Sequence, residues 1–153
     1  IEVQVQVHGT TNIFHSKRRM VSNYRQHQGR DFCETDQALD KGLFLIEAER
    51  KDEKYPVYED VNGTHIMSSE DICMLENLDE LMSVQMDSFK IEGLLKTLDY
   101  NKAVVQAYRQ VIDTYAMNPE DYQYNAQWLA PVESLQPKDR QFSFGFYFKE
   151  QVY

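Results

Sequence analysis

The chain has 153 residues, a net charge of −9 and an isoelectric point near 4.9. Its length suits one domain of ordinary size, and a hydrophobic content of 42% is enough for a core. The acidic balance argues against a broad surface for nucleic acid or acidic membranes, although it leaves room for a small basic site.

The first element that the sequence predicts is a strand. Residues 1–8 alternate strictly, with Val3, Val5 and Val7 on one face and polar side chains, ending in His8, on the other. Because this pattern is already under way at a first residue that is not Met, we expect a fragment of a longer protein. No signal peptide and no apolar run of membrane-spanning length is visible, and two cysteines suit a reducing compartment, so we expect a cytoplasmic protein.

A basic cluster follows the glycine that ends this strand. Lys17, Arg18 and Arg19 are consecutive and form the one basic cluster of the sequence. Such a run forms either a solvated loop or a local site for a phosphate or a carboxylate group.

Residues 43–67 predict a small inserted antiparallel meander, after a polar and irregular stretch at residues 25–42. Residues 55–60 alternate, Asn62-Gly63 is a hairpin-turn signal, and residues 64–67 return along a second strand.

The second half predicts a helix, a strand and a helix. Residues 68–84 begin with capping residue types and continue with leucines at helical spacing. Residues 87–93 alternate as a strand, and Thr97 caps a second helix that Asn118-Pro119 ends. This order is typical of an α/β fold with a parallel sheet. We therefore expect a single domain over residues 1–153, built as a partial (β/α) barrel of two to three strand–helix units.

The chain closes with a predicted apolar strand. Residues 120–139 lack a period and indicate a loop, whereas residues 142–148 carry a phenylalanine at every second position. In a partial barrel, the first and last strands would lack neighbours, and such edges pair readily with another chain. We expect either a homodimer joined through these strands or a last strand that folds back over its own sheet.

Two charges on one face of the middle strand indicate a site. Lys90 and Glu92 share that face, and the ends of barrel strands are where catalytic residues lie. They form either an internal ion pair or a working site that His8 joins from the neighbouring strand. In the second case His8 acts as an acid or base, Glu92 as a base or cation partner, and Lys90 binds an anion. The histidines and cysteines have no metal-ligand spacing, so we expect no metal.

Several motifs together resemble one family, peptidase family U-32, the collagenase-like proteases. The strand at residues 87–93 is very similar to the family's D-S-F-K-I-E-G motif, and residues 69–73 look like its S-K-D-L-C motif. The third resemblance is to the family's V-H-G … S-G-R … S-N-Y signature, carried by Val7-His8-Gly9, Ser16-Lys17-Arg18 and Ser22-Asn23-Tyr24. Members are about twice as long, so the resemblance implies the C-terminal part of a barrel.

The sequence departs from the family at its metal ligands. Members that hold an iron–sulfur cluster have cysteine where this chain has Asn12 and Arg19, and only Cys73 stands at a matching position. Cys33 lies in a region that does not align. Because a cluster needs about four thiolates, we expect no cofactor.

The resemblance implies two functions. One is peptide-bond hydrolysis, with collagen as the family's namesake substrate. The other is oxygen-independent hydroxylation of the tRNA wobble uridine, with prephenate as oxygen donor, as in the branch without a cluster; a third possibility is a non-catalytic partner of a cysteine-bearing paralogue. The substrate, tRNA or peptide, is expected to contact a basic and polar loop made of Ser16, Lys17, Arg18, Arg19, Ser22 and Asn23.

Overall fold

The computed structural model describes residues 1–29 and 43–150, which form two compact units. The strand–helix unit contains residues 1–9 and the chain from residue 70 onward, and the meander unit lies within residues 10–69. The expectation of a single domain stays a prediction. In chain order the elements are β1 (Gln4–Gly9), β2 (Asn12–Ser16), α1 (Met20–His27), β3 (Phe44–Ile46), β4 (Lys54–Asp60), β5 (Gly63–Met67), β6 (Asp71–Cys73), α2 (Leu78–Ser83), β7 (Ser88–Glu92), α3 (Leu98–Met117), a 3₁₀ turn (Ala126–Trp128), α4 (Ala130–Leu135) and β8 (Phe142–Ser143).

The strand–helix unit is built on a four-stranded mixed sheet in the order β7-β1-β6-β8. β1 and β7 run parallel, β6 runs antiparallel to β1, and β8 runs parallel to β6. One face of this sheet packs against α3, and the buried side chains there form the core, which includes Val7, Ile72, Leu75, Leu78, Tyr100, Val104, Tyr108 and Val111.

The predicted long helix is confirmed at both ends and along its buried face. The Thr97 hydroxyl accepts a hydrogen bond from the backbone N–H of Tyr100 at 3.2 Å, which satisfies one free donor of the first turn. α3 then ends at Met117, directly before Asn118-Pro119. Its buried residues recur every three to four positions because that spacing returns to one side of a helix.

The helix predicted over residues 68–84 is wrong in its first half. Residues Asp71–Cys73 are a fully buried strand between β1 and β8, and only Leu78–Ser83 are helical. The leucines still pack in or against the core, so their spacing indicated which side chains are buried and not a continuous helix. Pairing with two neighbouring strands overrides the local capping signal at Ser69 and Asp71.

The strand predicted over residues 142–148 is also wrong beyond Ser143. Gly145 has a φ of +59°, which turns the chain away from the sheet. Phe144, Phe146 and Phe148 are exposed as a result, although their alternation suggested one buried face.

The predicted meander is confirmed and gains a strand. β3, β4 and β5 pair antiparallel, and β2 extends the sheet to the order β2-β5-β4-β3. The turn between β4 and β5 consists of Val61 and Asn62, and Gly63 opens β5 with a φ of +121°. A side chain at Gly63 would overlap the carbonyl oxygen of Ser16, so glycine is required there.

The stretch of residues 120–139 contains more structure than expected, since it holds the 3₁₀ turn and α4.

No helix among the described residues is both long and apolar enough to cross a membrane. The partial barrel remains a prediction, because the described residues show mixed α/β content with two sheets, in which β1 pairs with β7 in parallel and β6 pairs with β8 in parallel.

Candidate active site

The carboxyl ends of β1 and β7 meet at one edge of the sheet in the strand–helix unit. Gly9 lies in register with Glu92, and Ile72 lies beside Gly9 on the other side. Gly9 has a φ of +96°, and a Cβ atom there would lie 2.0 Å from the carbonyl oxygen of Glu92. Close approach of the two backbones therefore requires a glycine directly after His8.

A β-bulge in β1 redirects the His8 side chain. Gln6 pairs with Lys90, but His8, and not Val7, pairs with Ile91. The extra residue shifts the alternation, so His8 shares the face of Ile91, which packs against the core. Strict alternation had predicted His8 on the polar face.

His8 lies among tyrosines of α3 with 1% of its surface exposed. Its Nε2 atom is 2.9 Å from the Tyr100 hydroxyl, and its Nδ1 atom is 3.4 Å from the Tyr108 hydroxyl. The Tyr108 hydroxyl donates to the carbonyl oxygen of Val7 at 2.7 Å, so it can only accept from Nδ1–H. Nε2 then accepts a hydrogen bond from Tyr100.

Burial keeps His8 neutral near pH 7. Burial lowers the pKa of His8 to about 4, although the nearby Asp71 carboxylate opposes the shift. Burial also raises the pKa of the Tyr100 hydroxyl, which keeps its proton available to Nε2. The imidazole is neutral, and the lone pair on its Nε2 atom already accepts a hydrogen bond from Tyr100. This favours a structural role for His8 over acid or base chemistry near neutral pH.

Lys90 and Glu92 form a pair on the opposite face of β7. The Lys90 ammonium is 3.0 Å from Glu92 Oε2, and the two side chains are 46% and 28% exposed. Glu92 Oε1 also accepts from the backbone N–H of Leu94 at 3.1 Å. The expected grouping of three side chains is thus corrected: Lys90 and Glu92 meet, and His8 faces the core. Their catalytic roles stay predictions.

A buried ionic cluster near His8 was not predicted. Asp71 is fully buried and pairs with the Lys96 ammonium and, at 2.9 Å, with Arg140 Nε. Gln136 donates to the same carboxylate oxygen at 2.7 Å. Burial alone raises the pKa of Asp71, but Lys96 and Arg140 outweigh it, so the pKa is lowered overall.

This cluster carries little sequence signal. Its residues come from a strand start, two loops and the end of a helix, at positions 71, 96, 136 and 140. The sequence around Asp71 had been interpreted as a capped helix start, and Lys96 and Arg140 lie outside any stretch with a helix or strand period. The Lys96 ammonium also lies 4.8 Å above the ring of Tyr100, which links the cluster to His8.

The loop predicted to contact substrate belongs to the meander unit. Lys17, Arg18 and Arg19 are exposed, as is Asn23 on α1. The Ser16 hydroxyl accepts from the backbone N–H of Arg18 at 3.2 Å. The structure thus leaves the basic side chains accessible.

Ser22 has an internal partner. Its hydroxyl donates to the carboxylate of Glu59, which also accepts the backbone N–H of Val21 at 3.1 Å. The Thr64 hydroxyl contacts the same carboxylate at 2.9 Å. Glu59 therefore binds the first turn of α1 where helix N–H groups are free, and Ser22 is committed to this contact.

The described residues do not fit the iron–sulfur cluster that some family members hold. Asn12 contacts His65 Nδ1 at 3.2 Å, and Arg19 is an exposed cation, so neither supplies a thiolate. Burial raises the pKa of the Cys73 thiol. No group of three or more metal-binding side chains occurs in the parts of the chain that the structure describes. Cys33 lies outside them.

The fold is that of an α/β protein, and its candidate site is an ion pair near the carboxyl end of a strand in a parallel pair. The profile of peptidase family U32 matches residues 1–152, and the chain belongs to that family. It is 43% identical over 154 residues to the tRNA hydroxylation protein P2 of Bacillus subtilis (strain 168), covering 100% of this chain and 50% of that protein.

Two further relatives match at lower identity. The tRNA hydroxylation protein P1 of Bacillus subtilis (strain 168) is 27% identical, over 94% of this chain and 34% of that protein. The uncharacterized protease MJ0090 of Methanocaldococcus jannaschii is 30% identical, over 98% of this chain and 35% of that protein. The chain thus spans half or less of these relatives. No solved structure matches it.

Proposed function

We propose that the protein takes part in the hydroxylation of tRNA. The observation that carries this proposal is the 43% identity to tRNA hydroxylation protein P2, which extends over the whole chain. The family resemblance directs the proposal to the wobble uridine, with prephenate as oxygen donor. The exposed cations Lys17, Arg18 and Arg19 suit an RNA phosphate or a dicarboxylate.

The second part of the proposal is that Lys90 and Glu92 belong to the reaction site. They lie on the face of β7 opposite the core that α3 covers. If the sheet continues into a barrel, this face is the interior and its carboxyl end is the usual place for chemistry. A half-exposed ion pair there can bind an anionic group through Lys90 and accept a proton through Glu92.

The test is mass spectrometry of nucleosides from tRNA of a strain that lacks the full-length protein. Loss of 5-hydroxyuridine derivatives, restored by the wild-type gene and not by a gene encoding Glu92→Gln, supports the proposal. Asp113→Asn is a matched control, because Asp113 lies in an exposed ion pair with Arg109 on α3. Unchanged tRNA in the deletion strain contradicts the proposal.

Peptide hydrolysis is the alternative, and the name of the archaeal relative favours it. Cys73 is a poor nucleophile for that reaction because its thiol is buried and its pKa is raised. Cleavage of gelatin by the purified full-length protein, together with unchanged tRNA in the deletion strain, would support the peptidase.

We also propose that the protein works beside a second subunit. Bacillus subtilis has both a P1 and a P2 protein, and the existence of such paralogues supports a paralogous partner. A homodimer is the other arrangement, and the exposed Phe144, Phe146 and Phe148 offer apolar surface for it. Sedimentation of the full-length protein, alone and with its paralogue, distinguishes a monomer, a homodimer and a heterodimer.

A further inference from the structure

Three rings stack on one face of the meander-unit sheet. The His65 ring is stacked on the Tyr58 ring at a centroid distance of 4.5 Å and an interplanar angle of 5°. On its other side it is stacked on the His15 ring at 4.6 Å and 23°. The three residues are in register across β4, β5 and β2, so the strand spacing itself sets the ring spacing. We call this set the ring stack.

Hydrogen bonds hold the ring stack in place. His15 Nε2–H donates to the carbonyl oxygen of Asn62 at 3.1 Å. His65 Nε2 is 3.2 Å from an Asp60 carboxylate oxygen, and its Nδ1 is 3.2 Å from the side-chain amide of Asn12. Because these hydrogen bonds are made by the ring nitrogens, they orient both imidazoles without occupying the flat face of either ring.

The stack ends at an edge of the sheet. β2 is an outermost strand among the described residues, with β5 on its one paired side. His15 is exposed, and its outer ring face points away from His65. A flat heterocycle placed there would continue the series at a similar spacing, as a nucleobase does on an aromatic platform.

Cations lie directly beside this edge. Lys17 follows His15 by two residues, so their Cα atoms are within about 7 Å along the strand direction. Lys17, Arg18 and Arg19 are exposed. Every charged side chain in residues 10–29 is a cation, although the whole chain has a net charge of −9. This excess of positive charge along residues 10–29 complements a phosphate backbone, and the acidic neighbours Asp60 and Glu59 are already bound to His65 and to the first turn of α1.

We propose that the ring stack and the adjoining basic triplet bind unpaired nucleotides of RNA, with one base on the outer face of His15 and its phosphates at Lys17–Arg19. A duplex does not fit this use, since its bases are already stacked on each other. The inference rests on the proposed function, because it assigns the surface through which a tRNA loop would be held.

The experiment measures fluorescence anisotropy of a fluorescein-labelled twelve-nucleotide oligouridylate with the full-length protein. His15→Ala should weaken binding about 5- to 100-fold, as loss of one base–aromatic stack does. His15→Phe keeps a ring and loses the Asn62 hydrogen bond, so near wild-type affinity identifies stacking as the cause. His27→Ala is the matched control, because His27 is an exposed histidine of α1 outside the ring stack.

Salt dependence tests the basic triplet. Changing Lys17, Arg18 and Arg19 to Gln should reduce the slope of log affinity against log salt by up to about 2, since each single-strand phosphate contact contributes about 0.7. A labelled RNA duplex should bind weakly and respond little to His15→Ala. Equal binding of duplex and single strand, or wild-type affinity of His15→Ala, overturns the inference.

Failure of this inference is distinguishable from failure of the proposed function. Unchanged tRNA in the deletion strain removes the proposed function, whatever the oligonucleotide does. Suppose instead that hydroxylation is lost in that strain and is fully restored by a gene encoding His15→Ala, and that the variant protein binds the oligonucleotide normally. The proposed function then stands, and the ring stack is not the RNA site. Melting temperatures of all variants must match the wild type within a few degrees.

Discussion

Acid sensitivity of the fold should depend on His8. The pKa of His8 is about 4 in the folded protein and 6.5 in an unfolded chain, because burial disfavours the imidazolium. A lowered folded-state pKa means that the unfolded state binds more protons at pH 4 to 6.5, so stability falls as the pH falls through that window. Between pH 7.5 and pH 5 this one group removes about 2 kcal/mol.

The measurement is urea unfolding of the full-length protein at pH 7.5 and pH 5. His8→Gln keeps a group that can accept from Tyr100 and does not titrate, so its loss of stability between the two pH values should be smaller by about 2 kcal/mol. His27→Gln, at an exposed position, should lose as much as the wild type. Equal losses for His8→Gln and wild type would show that His8 titrates normally and refute the buried, tyrosine-bonded arrangement.

Four further outcomes are expected. Asp71→Asn should lower the free energy of unfolding by about 3–5 kcal/mol because Lys96 and Arg140 stay buried, whereas Asp113→Asn in an exposed pair should cost under about 1 kcal/mol. Gly9→Ala should cost at least about 2 kcal/mol in the same urea assay, given its positive φ and overlap with Glu92. Glu92→Gln should cost about 1 kcal/mol or less while tRNA hydroxylation is lost; a collapse of the fold would instead assign Glu92 a structural role. Anaerobic reconstitution should yield no stoichiometric iron and sulfide, and visible absorbance with bound iron would contradict this.

The sequence predicted those features that depend on local chemistry or on a regular period. The Thr97 cap, the buried stripe of α3 and the antiparallel meander are examples, and all three are confirmed. The Lys90–Glu92 pair could also be predicted, since side chains at positions i and i+2 of a strand lie on the same face, where opposite charges are within reach of each other.

The missed features depend on contacts between distant residues. One bulge changes the face on which His8 lies, and nothing in the strict alternation of residues 1–8 reveals it. Residues 71–73 form a strand because β1 and β8 provide partners on both sides, a choice that local propensity does not contain. The cluster around Asp71 likewise joins positions up to 69 residues apart, from Asp71 to Arg140.

The contacts around Thr64 determine how rigidly the basic triplet is presented. The Thr64 hydroxyl is 2.9 Å from the carbonyl oxygen of Arg18 and accepts from the backbone N–H of Met20 at 2.9 Å. Ordering a backbone costs about 1–2 kcal/mol of conformational entropy per residue. Because the sheet orders this loop when the protein folds, an anion bound as proposed would contact guanidinium groups on an ordered backbone. Thr64→Val should therefore increase loop mobility in NMR relaxation and weaken the proposed anion binding, although Thr64 itself is buried.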